Sequence, residues 1–165
     1  MSWGMGASDV STLLWRERQL LDLLVFKMEE EQLILAAARP HLLGPASAEV
    51  AQVLEQISQC EAERDAATRE LAAELGLGSP ARLAEIVEAS DEPWTGIFSE
   101  HRKGLVAAVE RIRALAAGTK VLLAARLSAT ADALALLGQA PVDAYSPADG
   151  YVPAGGTGRL VRGSL

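Results

Sequence analysis

Aromatic residues are scarce in this 165-residue chain: three tryptophans, two tyrosines and two phenylalanines, 4% of the total. Thirty alanines supply much of an apolar half, and that composition favours helices over strands, which excludes a β-sandwich or barrel. There is one cysteine, Cys60, so no internal disulfide can form. Two histidines, His41 and His101, are too few to complete a zinc site with it. Positive charge is also short, with 15 Lys and Arg against 22 Asp and Glu. The resulting net charge of -7 repels phosphate backbones and anionic lipid, so nucleic acid is not an expected partner. Met1 to Val10 carries no Lys or Arg, and the apolar run that follows is broken by Arg16, Glu17, Arg18 and Asp22. That pattern fits neither a signal peptide nor a membrane span, and the expectation is a soluble protein of the reducing cytoplasm, without membrane insertion.

What is present is helical periodicity. Leu14, Leu21, Met28 and Leu35 recur every seven residues with Leu24 between them, predicting a helix that starts at a Ser8 or Ser11 cap and runs to about Ala38. From Leu20 to Phe26 apolar residues nearly encircle it, so cover from more than one side is expected there. Arg39 to Pro45 reads as a proline-bounded turn. A second helix follows over about Ala46 to Leu75, with Val50, Ile57 and Leu71 in register and Arg64 breaking the seam. Gly76 stands where a left-handed C-cap is wanted, and Ser79-Pro80 opens a short helix to Ala89. Ser90 and Asp91 cap a last helix with apolar spacing near 3.5 from Trp94 to Leu137; its Gly96, Gly104 and Gly118 point to a bend or a close helix contact. The fold class is therefore all-α: an elongated antiparallel bundle over residues 1–137 with a long protruding C-terminal helix, then a flexible tail over 138–165, where nine residues are Gly or Pro.

Candidate chemistry is thin. Neither histidine follows a Glu at the spacing of di-iron bundles, and His101 falls on the inner stripe of the last helix as a satisfied core residue. Glu29, Glu30 and Glu31 point about 100° apart around their helix and do not converge, which makes them a solvated face. Cys60 has no basic neighbour in sequence to stabilise a thiolate and reads as core. Gly155, Gly156, Thr157 and Gly158 lack the strand, Lys and helix of a phosphate loop. No catalytic residue, metal or cofactor is expected.

Length gives the strongest functional signal. At 1.5 Å per residue the first two helices span roughly 45 Å and the last roughly 70 Å, so about a third of the last helix lacks a partner within the chain. Leu122, Leu123, Leu127, Leu134 and Leu137 fall on that overhang and are too apolar to be left in water without a binding role.

The run Leu14-Trp15-Arg16-Glu17-Arg18-Gln19-Leu20-Leu21-Asp22-Leu23-Leu24, then Val25 to Glu31, resembles the opening helix of the FlgN flagellar export chaperone family. So does the order that follows: a second long helix, a Gly-rich break, Pro93-Trp94 and His101-Arg102 leading into a very long helix. The resemblance covers about Ser11 to Leu137. It implies a non-enzymatic cytoplasmic chaperone that binds C-terminal helical segments of the hook-filament junction proteins, keeps them unassembled and delivers them to the export apparatus. It implies a client surface on the last helix and the segment after it, and by a loose match of Tyr145 to Gly150 it adds Tyr145 as a contact for client or export gate. The proline inside that match and the extended ending from Tyr151 depart from the family pattern. A monomer is expected in the free state; the alternative is a coiled-coil scaffold or regulator that homodimerises through the overhang.

Overall fold

The computed structural model describes residues 3–138 and is all-α. Four helices follow in order: α1 (Trp3–Ala36), α2 (Pro40–Glu74), the short α3 (Leu83–Ala89) and α4 (Trp94–Gly138). The chain divides into two compact units, Met1–Ala129 and Thr130–Leu165. In the first, the long helices run up, down and up. Arg16 pairs with Glu63, Glu17 with Arg64 and Lys27 with Glu49, an antiparallel register between α1 and α2. Ser11 meets His101, Glu29 meets Arg111 and Gln32 meets Leu115, so α4 lies parallel to α1. In the second unit the described residues are the final turns of α4, and the tail from Gln139 lies outside the described residues.

The heptad leucines of α1 form the seam: Leu14, Leu21, Leu24 and Leu35 are buried, and Met28 packs at its edge. The core, however, is two clusters. One joins Ala7, Val10 and Leu14 to Leu71 of α2, Ile86 of α3 and Phe98 of α4. The other joins Leu21 and Leu24 to Val53 and Ile57, with Leu105, Ala108 and Ile112 of α4 packed against it. Between them stand Glu17, Arg64, Cys60 and His101. The helix α3 earns its place by plugging the first cluster with Ile86, which is fully buried.

Several expected boundaries move. Ser8 and Ser11 lie inside α1 and cap nothing, because Ala7 and Val10 extend the apolar stripe toward the N-terminus and draw the helix onto the first cluster. The α1–α2 connection is only Ala37–Arg39, with Ala38 at a φ of 54°. Pro40 begins α2, where its missing N–H has no helical partner to lose, and Pro45 is carried inside the helix. At α3 the cap is Arg82 in place of Ser79: its backbone N–H donates to Glu85 Oε2 at 2.6 Å, and the helix starts at Leu83. Ser90 closes α3 by donating to the carbonyl of Ile86, while the carbonyl of Asp91 accepts from Trp94 and Thr95 to open α4. The cover from more than one side expected over Leu20 to Phe26 comes from α2 and α4, which pack against Leu20, Leu21 and Leu24, while Leu23 and Phe26 face solvent.

Gly76 does what its position demands. Its φ is +71°, its N–H reaches the carbonyl of Ala73 and that of Leu77 reaches Ala72, so two terminal carbonyls of α2 are satisfied while Leu77 packs against the first cluster. Gly76→Ala places a Cβ in the left-handed region and is expected to lower stability by about 1–2 kcal/mol in a urea titration, with the slope unchanged.

Of the α4 glycines, Gly104 and Gly118 mark close contacts, and no bend is required to explain them. A Cβ on Gly104 would stand 2.5 Å from Arg18 Nε, and one on Gly118 would stand 2.9 Å from Gln32 Nε2. Gln32 uses that room to donate to the carbonyl of Leu115 at 2.7 Å and to Thr119 Oγ1 at 3.2 Å.

Candidate functional site

The surface that bears on function is built where α1 ends, α2 begins and α4 passes alongside. Arg126 of α4 donates to the carbonyls of Leu35 and Ala36, at 2.7 and 2.8 Å, and so satisfies the last turn of α1. At Arg126, α4 has therefore drawn level with the end of α1. Around it lies a groove of about 480 Å³, walled by Met28 of α1, Val50 of α2, and Leu123, Ala124 and Leu127 of α4. Glu31 and Lys120 stand at its rim. Leu123 is 42% and Leu127 72% exposed, whereas Leu122 is half-buried. The groove is apolar at its base and open, and it can take a further amphipathic helix as a fourth member of the bundle.

In the second unit Leu134, Leu136 and Leu137 are each 63% exposed or more. Tyr145 lies outside the described residues, as does Gly155–Gly158. The structure thus places Leu123 and Leu127 in one groove. Sequence spacing missed its opposite wall, since Met28 and Val50 read as ordinary seam positions; that α1 ends and α2 begins near this level was the available signal.

By length and composition α4 also contains an 18-residue stretch apolar enough to cross a membrane, with mean hydropathy 1.5 and no part of it buried. In the first unit that helix is a bundle member, tied to α1 through Gln32 and Arg126.

No cluster of His, Cys, Asp and Glu able to hold a metal exists among the described residues. Glu29, Glu30 and Glu31 diverge as the helix geometry requires: Glu29 pairs with Arg111 on α4, Glu30 with Lys27 on its own helix, and Glu31 accepts from Ser47 on α2 at 2.5 Å. They are partly exposed surface side chains that do not converge, as their spacing requires, and each also ties to a neighbouring side chain. Cys60 is fully buried with its thiol directed at the carbonyl of Leu13, and burial pushes its pKa up, which opposes thiolate chemistry.

His101 departs from the expected satisfied core residue. It is 2% exposed, and its Nε2 lies 3.1 Å from Ser11 Oγ, but its Nδ1 is buried without a partner. The ring packs edge-on against Trp15, centroids 5.2 Å apart. Burial first, and the charge of Arg18 second, hold its pKa below the ordinary 6.5. The unfolded chain therefore takes up the proton first as pH falls. The contribution of His101 to stability is complete above about pH 6.5 and drains away as pH drops through the window below it. Thermal melts between pH 8 and pH 5 are expected to fall more steeply for the parent than for His101→Gln; equal slopes would contradict this.

These features describe an all-α helical bundle with an exposed apolar groove on its last long helix. A family model described as FlgN protein matches residues 1–155, and the chain belongs to that family. Its general role is that of a flagellar export chaperone, and chaperones of this family bind flagellar proteins. No curated protein and no solved structure matches the chain significantly.

Proposed function

We propose that this chain is a cytoplasmic export chaperone for the hook-filament junction proteins, acting by binding and without bond-making chemistry. It captures a C-terminal helical segment of the client on the groove of Met28, Val50, Leu123 and Leu127, keeps the client from assembling and hands it to the export apparatus. The observation that carries the reading is the exposure of Leu123 and Leu127 in a groove where all three long helices contribute apolar walls. A client helix laid there buries the leucine side chains and presents its polar face to Glu31 and Lys120 at the rim. Leu122, Leu134, Leu137 and Tyr145 extend the client contact along the same part of the chain.

Calorimetric titration with a peptide spanning the C-terminal helix of a hook-filament junction protein is expected to saturate at one peptide per chain, with a negative heat-capacity change from apolar burial. Sedimentation of the free chain is expected to give a monomer mass. A dimer that takes up no peptide would favour the homodimeric scaffold, and a monomer that takes up no peptide would end the proposal.

A further inference from the structure

A second groove, of about 460 Å³, lies between the N-terminal half of α1 and the start of α4. The helical rise separates it from the client groove: from His101 to Leu123 is about 33 Å along α4. Its apolar walls are Trp15, Trp94 and Ile97, with Trp94 stacked on Phe98 at 5.7 Å and Trp15 52% exposed. Its polar wall is Ser11, Arg18 and His101.

Arg18 is the unusual member. Its guanidinium sits 4.8 Å over the Trp15 ring and is accommodated against α4 only because residue 104 is glycine. Among the described residues no carboxylate lies within ion-pair distance of it. Glu100, also on the groove, is held by Lys103 at 2.8 Å. A chain with seven excess negative charges thus keeps one stacked, half-buried cation without a direct ion pair, its nearest groove carboxylate being Glu100, which Lys103 chiefly and Arg18 secondarily hold below its ordinary pKa, beside a buried histidine with an open nitrogen. A stacked guanidinium retains its in-plane N–H donors, and their fork geometry matches a carboxylate.

We infer that this groove is a second docking site, independent of the client groove, for a partner's peptide segment that carries an aromatic side chain next to an aspartate or glutamate. The aromatic ring enters between Trp15 and Trp94, and the carboxylate accepts from the free edge of Arg18. An apolar peptide without the acid leaves the in-plane donors of Arg18 to water, and an acid without the ring leaves the exposed Trp15 surface uncovered, so the groove selects for both together.

The test is two-dimensional NMR on the full chain with N-acetyl-Phe-Asp-amide and its neutral isostere N-acetyl-Phe-Asn-amide. The Asp peptide is expected to shift the Trp15 indole N–H saturably at millimolar concentration, and the Asn peptide to bind at least tenfold more weakly. Arg18→Gln is expected to abolish that preference and Arg18→Lys to restore only part of it, since the ammonium keeps the charge but not the stacked fork. Both variants should keep the parent's melting temperature. Leu123→Asp should leave the peptide response unchanged, which separates this site from the client groove. Equal response to the two peptides, no saturable shift of Trp15 by 10 mM Asp peptide, or a preference that survives in Arg18→Gln would each overturn the inference. A Trp15 resonance that moves on dilution together with a doubling mass would assign the groove to a second copy and overturn it as well.

Discussion

Leu123→Asp combined with Leu127→Asp is expected to weaken client capture by two to four orders of magnitude while leaving the chaperone folded. Each leucine that goes from water into a client interface contributes about 1.5–3 kcal/mol, and every 1.4 kcal/mol is tenfold in affinity. A carboxylate in the same place adds the cost of its own desolvation. Neither side chain is needed by the core: Leu127 is 72% exposed, Leu123 42%, and neither belongs to the two buried clusters. The melting temperature should therefore stay within a few degrees of the parent. Titration with the junction-protein peptide and a thermal melt on the same sample decide the matter. Unchanged affinity would move the client elsewhere. Lost affinity with a collapsed melt would mean that Leu123 and Leu127 support the bundle itself.

Arg64→Met is expected to cost about 3–5 kcal/mol at neutral pH, the largest loss of stability from any single change considered. Glu17 is 4% exposed, and Arg64 Nη1 donates to both of its carboxylate oxygens, at 2.7 and 2.8 Å. Arg64 Nη2 also reaches Asp65, at 3.0 Å. Burial raises the Glu17 pKa above the ordinary 4.5 even with Arg64 beside it, so desolvation outweighs the attraction the pair regains. Removing Arg64 leaves a buried carboxylate with no counter-charge. A carboxyl whose folded-state pKa lies above its unfolded value favours folding most when protonated, below about 4.5, and loses that advantage as pH rises through the folded value. The deficit of Arg64→Met relative to parent should thus be greatest near neutrality and shrink on acidification. Adding Glu17→Met is expected to recover most of the loss, because an apolar pair of similar volume bears no desolvation cost. Urea titrations of the parent, single and double variants at pH 7 and pH 5 test both points. A double variant as unstable as the single one would show that the pair is needed for packing beyond its charge.

The buried pair does more than add or subtract energy. Glu17, Arg64, Cys60 and His101 form a polar and sulfur-bearing layer between two apolar clusters. Sliding α2 by one turn along α1 would set Arg64 against Leu14 or Leu21 and leave Glu17 facing apolar side chains. That misregister leaves two charges buried and unpaired. The layer therefore selects one alignment of α1 and α2, and with it the level at which α1 ends and α2 begins beside Arg126 and the groove.

Local chemistry sufficed for the all-α class, the course of α4, the Gly76 cap and the seam through Leu14, Leu21, Leu24 and Ile57, because each depends on residues within a few turns of one another. Helix period, left-handed φ and the missing N–H of proline act at that range. The exposure of Leu127 was legible for a related reason, an apolar stripe that runs past the end of α1 at Arg126, whereas Leu123 is exposed beside Met28 and Val50. Tertiary structure alone decided that Arg64, which interrupts the seam on paper, is the partner of Glu17, 47 residues away. It alone joined His101 to Ser11 across 90 residues, opposed Met28 and Val50 to Leu123, and seated Ile86 of α3 beneath Phe98. A helix presents several faces that periodicity treats alike, and which of them meets another helix is settled only when the whole set packs, by shape and by the cost of leaving a buried charge unmatched.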